Sequence, residues 1–156
     1  MIKIIRAEEK HITSIGQLWW EFIIFHQNID PIDTPIENSI PHYQENHLKR
    51  FMKSEDSFVL VALDEGQAIG FSLSYISEPP PGLKRGKFGY IDEMAVTESY
   101  RRQGIGVKMV TEILKWFKSK NINRVELGTA AQNVVANSFW QQQGFAPCRY
   151  TLYKEI

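Results

Sequence analysis

A mixed α/β fold of the α+β type, with helices covering a partly antiparallel sheet, is predicted by three features of this 156-residue sequence. Segments with apolar residues at helical spacing alternate with short apolar runs of strand length. Two of those runs, Phe58 to Leu63 and Ala68 to Ile76, are joined by Asp64-Glu65-Gly66-Gln67, a connection that reads as a hairpin. A third run, Phe88 to Val96, passes through a glycine-containing loop directly into a helical segment. Antiparallel neighbours and covering helices follow from that combination.

The elements take this order. Ile2 to Arg6 is a strand. Glu8 to Phe25 is a helix, with Ile12, Ile15, Leu18, Trp19, Phe22 and Ile23 on its apolar face. His26 to Pro41 reads as a loop, because prolines at 31, 35 and 41 oppose a long continuous helix, and His42 to Lys53 forms a second, shorter one. The hairpin and the loop Glu78 to Lys87 come next, followed by strand Phe88 to Val96. A helix then runs to about Lys120, burying Val110, Ile113, Leu114 and Phe117, with Lys115, Lys118 and Lys120 gathered at its negative end. Arg124 to Thr129 is a strand, Asn133 to Gln143 a helix with Asn133 as N-cap, and Phe145 to Lys154 terminal strand material.

Composition bounds the function. The length suits a single domain, residues 1–156, with a real core. Eighteen basic and eighteen acidic residues give no net charge, so no global field draws in nucleic acid or an anionic membrane. One cysteine, Cys148, precludes an internal disulfide, and the four histidines show no zinc-type spacing, so no metal is expected. Met1 to Arg6 does not read as a signal peptide and no apolar run approaches a membrane span, which together with the lone cysteine points to the cytoplasm.

The most informative segment is Arg101-Arg-Gln-Gly-Ile-Gly106, set between strand and helix. Gly104 and Gly106 remove side chains that would keep a ligand from the main chain, and first-turn amides point outward. A helix start normally favours Asp or Glu, yet no acid occurs from Ser99 to Thr111, while Arg101, Arg102 and Lys108 add positive charge. An anion such as a pyrophosphate is therefore expected. A dinucleotide fingerprint is excluded because Met109 stands where its third glycine belongs, and a P-loop because Val107 and Lys108 follow Gly106.

The hexapeptide resembles the Arg/Gln-x-x-Gly-x-Gly/Ala signature of the GNAT superfamily, the acyl-CoA-dependent N-acyltransferases. Tyr90-Ile-Asp-Glu-Met-Ala-Val96 is similar to that family's strand before the loop. Asn133-Val-Val-Ala-Asn-Ser-Phe-Trp-Gln-Gln-Gln-Gly-Phe145 is similar to its Asn-x-x-Ala-x-x-x-Tyr-x-x-x-Gly-Phe segment. Residue-level resemblance spans about Phe88 to Phe145, and the order of elements fits nearly the whole chain. The resemblance implies one N-acetyltransferase domain, with six or seven strands, about four helices and two strands splayed around a coenzyme A cleft. It also implies acetyl-CoA as acyl donor. Met94, Ala95 and Val96 would bond the pantetheine arm through their backbone; Gln103, Gly104, Ile105, Gly106, Val107 and Lys108 would hold the pyrophosphate; Arg101 and Arg102 would add phosphate contacts. Asn133 would meet the pantetheine or thioester region, or simply cap its helix.

Acyl transfer needs a neutral amine, and an alkyl amine with pKa ≈ 10.4 lies about 3.4 units above pH 7, roughly 4.6 kcal/mol. A carboxylate that accepts the proton lowers this hurdle. By resemblance, the base is Asp92 or Glu93. Neighbouring strand residues face opposite sides, so only one should enter the cleft unless a bulge intervenes. The longer side chain favours Glu93.

Trp140 departs from the pattern, standing where many members carry a tyrosine that protonates the leaving thiolate. Indole cannot serve as that acid. Tyr150, Tyr153 or Ser138 would replace it, or the thiolate leaves unassisted; the unassisted route is preferred, with Trp140 packing against the cofactor or the sheet. Acceptor specificity is expected from Trp19 to Tyr43, with Trp19, Trp20, Phe22, Phe25, His26, Asp30, Asp33, Glu37 and Tyr43 mixing aromatic and acidic groups, and from the loop Glu78 to Lys87.

The implied function is transfer of an acetyl group to a primary amine of a small molecule, peptide or protein. The rival class is an acyl-CoA sensor without turnover, which the intact Asp92 and Glu93 disfavour and the missing tyrosine favours. Pairing into a homodimer through exposed terminal strands is a further expectation. Cys148 reads as a bystander, since direct transfer needs no covalent enzyme intermediate.

Overall fold

A computed structural model describes residues 1–156. Its centre is a five-stranded sheet in the order β1-β2-β3-β4-β5: β1 Ile2–Arg6, β2 Ser57–Asp64, β3 Gln67–Ser77, β4 Phe88–Val96 and β5 Val125–Leu127. Each of the first four strands runs antiparallel to its neighbour, and β5 joins β4 in parallel. The expected hairpin is present, with Glu65 and Gly66 both at positive φ, as a tight two-residue connection requires.

Interior strand β2 is buried on both faces, which is why it reads as a continuous apolar run without alternation. Val59 and Val61 point to one face, where Ile15 and Leu18 of α1 (Ile12–Ile29) and Tyr43 and Leu48 pack with Phe71 and Leu73. Leu60 points to the other, against Ile113, Trp116 and Phe117 of α4 (Ile105–Ser119). Sheet residues at alternate positions thus meet two separate helical layers.

Two helix boundaries differ from expectation. The first helix continues past Phe25 to Ile29, because nothing stops it until Pro31, which forces Asp30 into extended backbone. The second begins earlier, at Ser39, with Pro41 in its first turn, where the missing N–H has no helical partner to lose. It consists of α2 (Ser39–Tyr43), a π-helical turn over Gln44–Leu48, and α3 (Lys49–Lys53), forming one continuous body. With α4 and α5 (Val134–Gln142), four helical bodies result.

The strand count is five, not six or seven. Phe145 to Lys154 forms no strand; Tyr150, Leu152 and Tyr153 are 86%, 90% and 87% exposed. The strand expected over Arg124 to Thr129 contracts to Val125–Leu127, so the edge offers the tail only a three-residue ladder, and Pro147 has no N–H to give it.

Candidate active site

The site is built around the far half of β4. β5 pairs with β4 only at Gly89, Tyr90 and Ile91, whereas β3 pairs with β4 through to Val96. Beyond Ile91 the two parallel neighbours part company, leaving one backbone edge of Asp92 to Val96 without a strand partner. Met94, Ala95 and Val96 lie on that free edge, and the only bond there is from Arg101 Nε to the Val96 carbonyl at 2.9 Å.

This edge leads into the glycine loop. Gly104 caps α4 with φ 78°, a left-handed conformation, and a Cβ built there would meet nothing within 4 Å. Gly106 has a different reason: its Cβ would come 3.2 Å from the Phe139 ring, so the glycine lets α5 pack close. No protein acceptor takes the amides of residues 102–107, and α4 has no acid in its first turn. Arg102, Gln103, Gly104, Val107 and Lys108 are exposed, while Ile105 is buried as the anchor of the helix. These outward amides, with Arg102 and Lys108 beside them, match the chemistry of a diphosphate. Arg101 is committed elsewhere, its guanidinium bonded to Val96 and 5.4 Å from the Phe25 ring centre.

Asn133 is buried and caps α5, its Oδ1 accepting from Ala136 N at 3.1 Å. Trp140 is half-buried, packed between Phe139 and Phe145 and against the α4 layer. The hydroxyls weighed as replacements for the absent tyrosine stand apart: Ser138 is exposed on α5, and Tyr150 and Tyr153 lie in the exposed tail.

The carboxylates occupy a bulge. Leu73 opposes Glu93 and Ser74 opposes Ile91, so Asp92 is the extra residue. Ile91 therefore turns into the α4 layer, and both Asp92 and Glu93 reach the opposite face, where each has an oxygen 3.8 Å from His47 Nε2. A bulge was the expected condition for both carboxylates to enter, and it is the physical reason that they share this face.

Four aromatic side chains wall this pair. Tyr43, His47 and Phe51, each four residues from the next, share one helix face, with ring centres 5.3 Å and 4.8 Å apart. Trp19 of α1 stacks on Tyr43 at 4.3 Å. The Tyr43 hydroxyl donates to Glu93 Oε2 at 2.5 Å. Tyr43 ends α2 and His47 lies within the π-turn that follows it. Tyr43 is among the aromatics expected at the acceptor side, whereas His47 is not among the expected site residues; the spacing of 43, 47 and 51 is the signal that points to it.

Burial sets the electrostatics. Glu93, with 11% of its side chain exposed, has its pKa pushed up to about 8, mainly by desolvation; hydrogen bonding from Tyr43 opposes the shift, the Asp92 charge adds to it, and Trp19 opposes it weakly. Asp92 is also raised by burial, with His47 pulling the other way. Tyr43 is raised by burial and by Glu93, so its hydroxyl keeps its proton and acts as a donor.

Of the other expected acceptor residues, Phe22 is spent on the core against Phe71, while Trp20, Phe25, Asp30, Asp33 and Glu37 are exposed. The loop from Glu78 to Lys87 is pinned by Arg85, which donates to Glu126 at 2.8 Å and covers the Phe88 ring at 4.0 Å.

Comparison with known proteins bears on the family and the fold. The model of the acetyltransferase (GNAT) family matches residues 17–145. The N-alpha-acetyltransferase 30 of Schizosaccharomyces pombe is 30% identical over 128 residues, covering 80% of this chain and 81% of that protein. An uncharacterized N-acetyltransferase of Archaeoglobus fulgidus is 28% identical over 102 residues, covering 64% of this chain and 67% of that protein. Among solved structures, an aminoglycoside 6'-N-acetyltransferase from Acinetobacter baumannii superposes with a TM-score of 0.78 at 20% identity, covering 100% of this chain and 98% of that one. An aminoglycoside N-acetyltransferase in complex with CoA gives 0.75 at 15% identity, covering 99% of each chain. No helix is long and apolar enough to cross a membrane. The chain is an acetyltransferase and belongs to the GNAT family.

Proposed function

We propose that this enzyme transfers the acetyl group of acetyl-CoA to a primary amine by direct attack within a ternary complex, with Glu93 as the general base. The observation that carries the reading is Glu93 itself. It is a buried carboxyl with a pKa near 8, three residues before Val96 on a strand edge that leads into a loop of free amides. A base matched to neutral or mildly alkaline pH is well suited to take a proton from an alkylammonium.

In this reading the free edge of Met94, Ala95 and Val96 holds the pantetheine arm, and the free amides of residues 103–107 hold the pyrophosphate with the side chains of Arg102 and Lys108. Arg101 braces the strand end against α1. Asn133 orders the start of α5 beside the cleft, and Trp140 packs behind it. The donor supplies an activated acyl group; the chain's own work is to orient it, to hold the amine and to accept its proton. Asp92 keeps a second negative charge beside Glu93 to attract the ammonium before deprotonation, and Trp19 and Tyr43 offer it aromatic faces. The leaving thiolate departs without a protein acid, a reading supported by the exposure of Tyr150 and Tyr153 in the tail and of Ser138 on α5.

The acceptor belongs to the class of small-molecule, peptide or protein amines, and the likeness to an N-alpha-acetyltransferase makes peptide α-amines the first to test. Neither nucleic acid nor membrane is read as a partner, and the cytoplasm is the proposed location. The exposed apolar tail beside the short β5 edge supports a homodimer joined through that tail. The function is tested by titrating acetyl-CoA into the protein and then screening free-amine peptides and aminoglycosides for release of coenzyme A. Binding followed by amine-dependent release supports transfer, and binding without release for any amine removes the proposed base chemistry.

A further inference from the structure

His47 stands at the junction between the carboxylates and solvent. Its Nε2 is sealed from water, has no hydrogen-bond partner, and faces Asp92 Oδ2 and Glu93 Oε1 at 3.8 Å each. The side chain as a whole is nevertheless 34% exposed, so the ring spans from the buried pair to the surface. Tyr43 and Phe51 hold its two sides. Glu93 has no comparable outlet, since its other oxygen is taken by Tyr43 and it lies against Trp19. A base so enclosed must discharge its proton after each turnover, and an imidazole is the side chain whose two nitrogens permit transfer in at one and out at the other.

We infer that His47 is the relay through which the proton taken up by Glu93 returns to solvent. The inference rests on Glu93 being the base. In the step, the carboxyl O–H bond of Glu93 breaks as an N–H bond forms at Nε2; the Nδ1–H proton then passes to water, and a ring tautomerisation restores the starting state. No oxidant or co-reactant is needed. The 3.8 Å gap exceeds a hydrogen bond by about 1 Å, which the ring closes by swinging toward Oε1 once that oxygen carries a proton. Asp92, whose Oδ2 faces the same Nε2, stabilises the transient imidazolium.

The charges facing the ring agree with this role. Burial holds His47 below the ordinary histidine range, Asp92 raises it, and Arg50 of its own helix lowers it. From β4 only Asp92 and Glu93 face it; Tyr43 and Phe51 complete the shell, while Tyr75 and Tyr90 lie near Asp92. The resting ring is therefore neutral near pH 7, able to accept at one nitrogen while donating from the other.

Two measurements test the relay. Ring-nitrogen NMR on the free protein should show His47 titrating below the ordinary histidine range, and lower still in Asp92→Asn. Titration unaffected by that substitution would overturn the coupling. In kinetics with an accepted peptide or aminoglycoside amine, His47→Ala should lower kcat at least tenfold, and added imidazole should restore it in proportion to its concentration. His47→Gln, which keeps the bulk against Tyr43 and Phe51 but cannot pass a proton, should show the same loss. A kcat within twofold of wild type in either variant, or a loss in His47→Ala that no buffer restores, would overturn the relay. Full activity in Glu93→Gln would instead remove the base, and the relay with it, whatever the His47 variants do.

Discussion

The Tyr43 hydroxyl donates to Glu93 Oε2 at 2.5 Å, joining residues 50 apart in the chain. The bond stabilises the charged carboxylate that burial disfavours, so it holds the pKa of Glu93 lower than burial alone would leave it. The same hydroxyl fixes the carboxylate's orientation, leaving Oε1 directed at His47.

Replacing Glu93 by Gln keeps the shape and an oxygen for Tyr43 but removes the base. The expected result is a fall in kcat of about 10²–10⁴-fold with acetyl-CoA affinity changed little. Steady-state kinetics alongside calorimetric titration separate the two. Retained kcat would remove Glu93 from the reaction.

The neighbours of Glu93 should move the pH profile in opposite directions. Activity requires the ionised carboxylate, so kcat rises with pH through a value near 8. Asp92→Asn removes a like charge, lowers that pKa and moves the rising limb to lower pH. Tyr43→Phe removes a hydrogen bond to the ionised form and moves it to higher pH. A common direction for both variants would contradict the roles given to these two neighbours.

Stability should carry the same signature. Because the folded-state pKa of Glu93 is raised, its favourable protonated form is fully available below the unfolded value and is lost as pH climbs through about 8. At ~1.4 kcal/mol for every tenfold change in proton affinity, the wild type loses up to a few kcal/mol from this group between mildly acidic and alkaline pH. Glu93→Gln should therefore melt with less pH dependence, and higher than wild type above about pH 8. Parallel melting curves for the two proteins would show that the carboxyl is hydrated.

At the glycine loop, Arg102→Glu places a negative charge beside the free amides without touching the core. Acetyl-CoA affinity should fall at least tenfold, about 1.4 kcal/mol, more steeply at low salt. Gly104→Asp should do the same and also strain the left-handed cap. Unchanged calorimetric affinity in both, with circular dichroism intact, would move the pyrophosphate elsewhere.

The exposed tail makes a separate demand. Tyr150, Leu152 and Tyr153 leave apolar surface uncovered that a second copy would bury. Sedimentation of wild type should show a dimer that Leu152→Asp dissociates. A wild-type monomer at the highest attainable concentration would leave the tail without a partner copy.

What the sequence determined by itself was local. The helix periods, the hairpin and the strand-loop-helix around Gly104 depend on residues a few positions apart, and each formed near where those residues indicated. The helix ends depart from expectation where prolines enter: Pro41 sits harmlessly in a first turn, and only Pro31 stops α1. The adjacent Asp92 and Glu93 were legible as candidate bases. Tertiary structure decided the rest. A bulge opposite Leu73 and Ser74 leaves no mark on hydrophobic period, yet it alone brings both carboxylates to one face. Tyr43 and His47 approach them from a helix some fifty residues earlier, and the desolvation that lifts Glu93 is a property of every group packed around it. Sequence spacing carries local geometry; register shifts, distant contacts and dielectric surroundings exist only once the layers have packed.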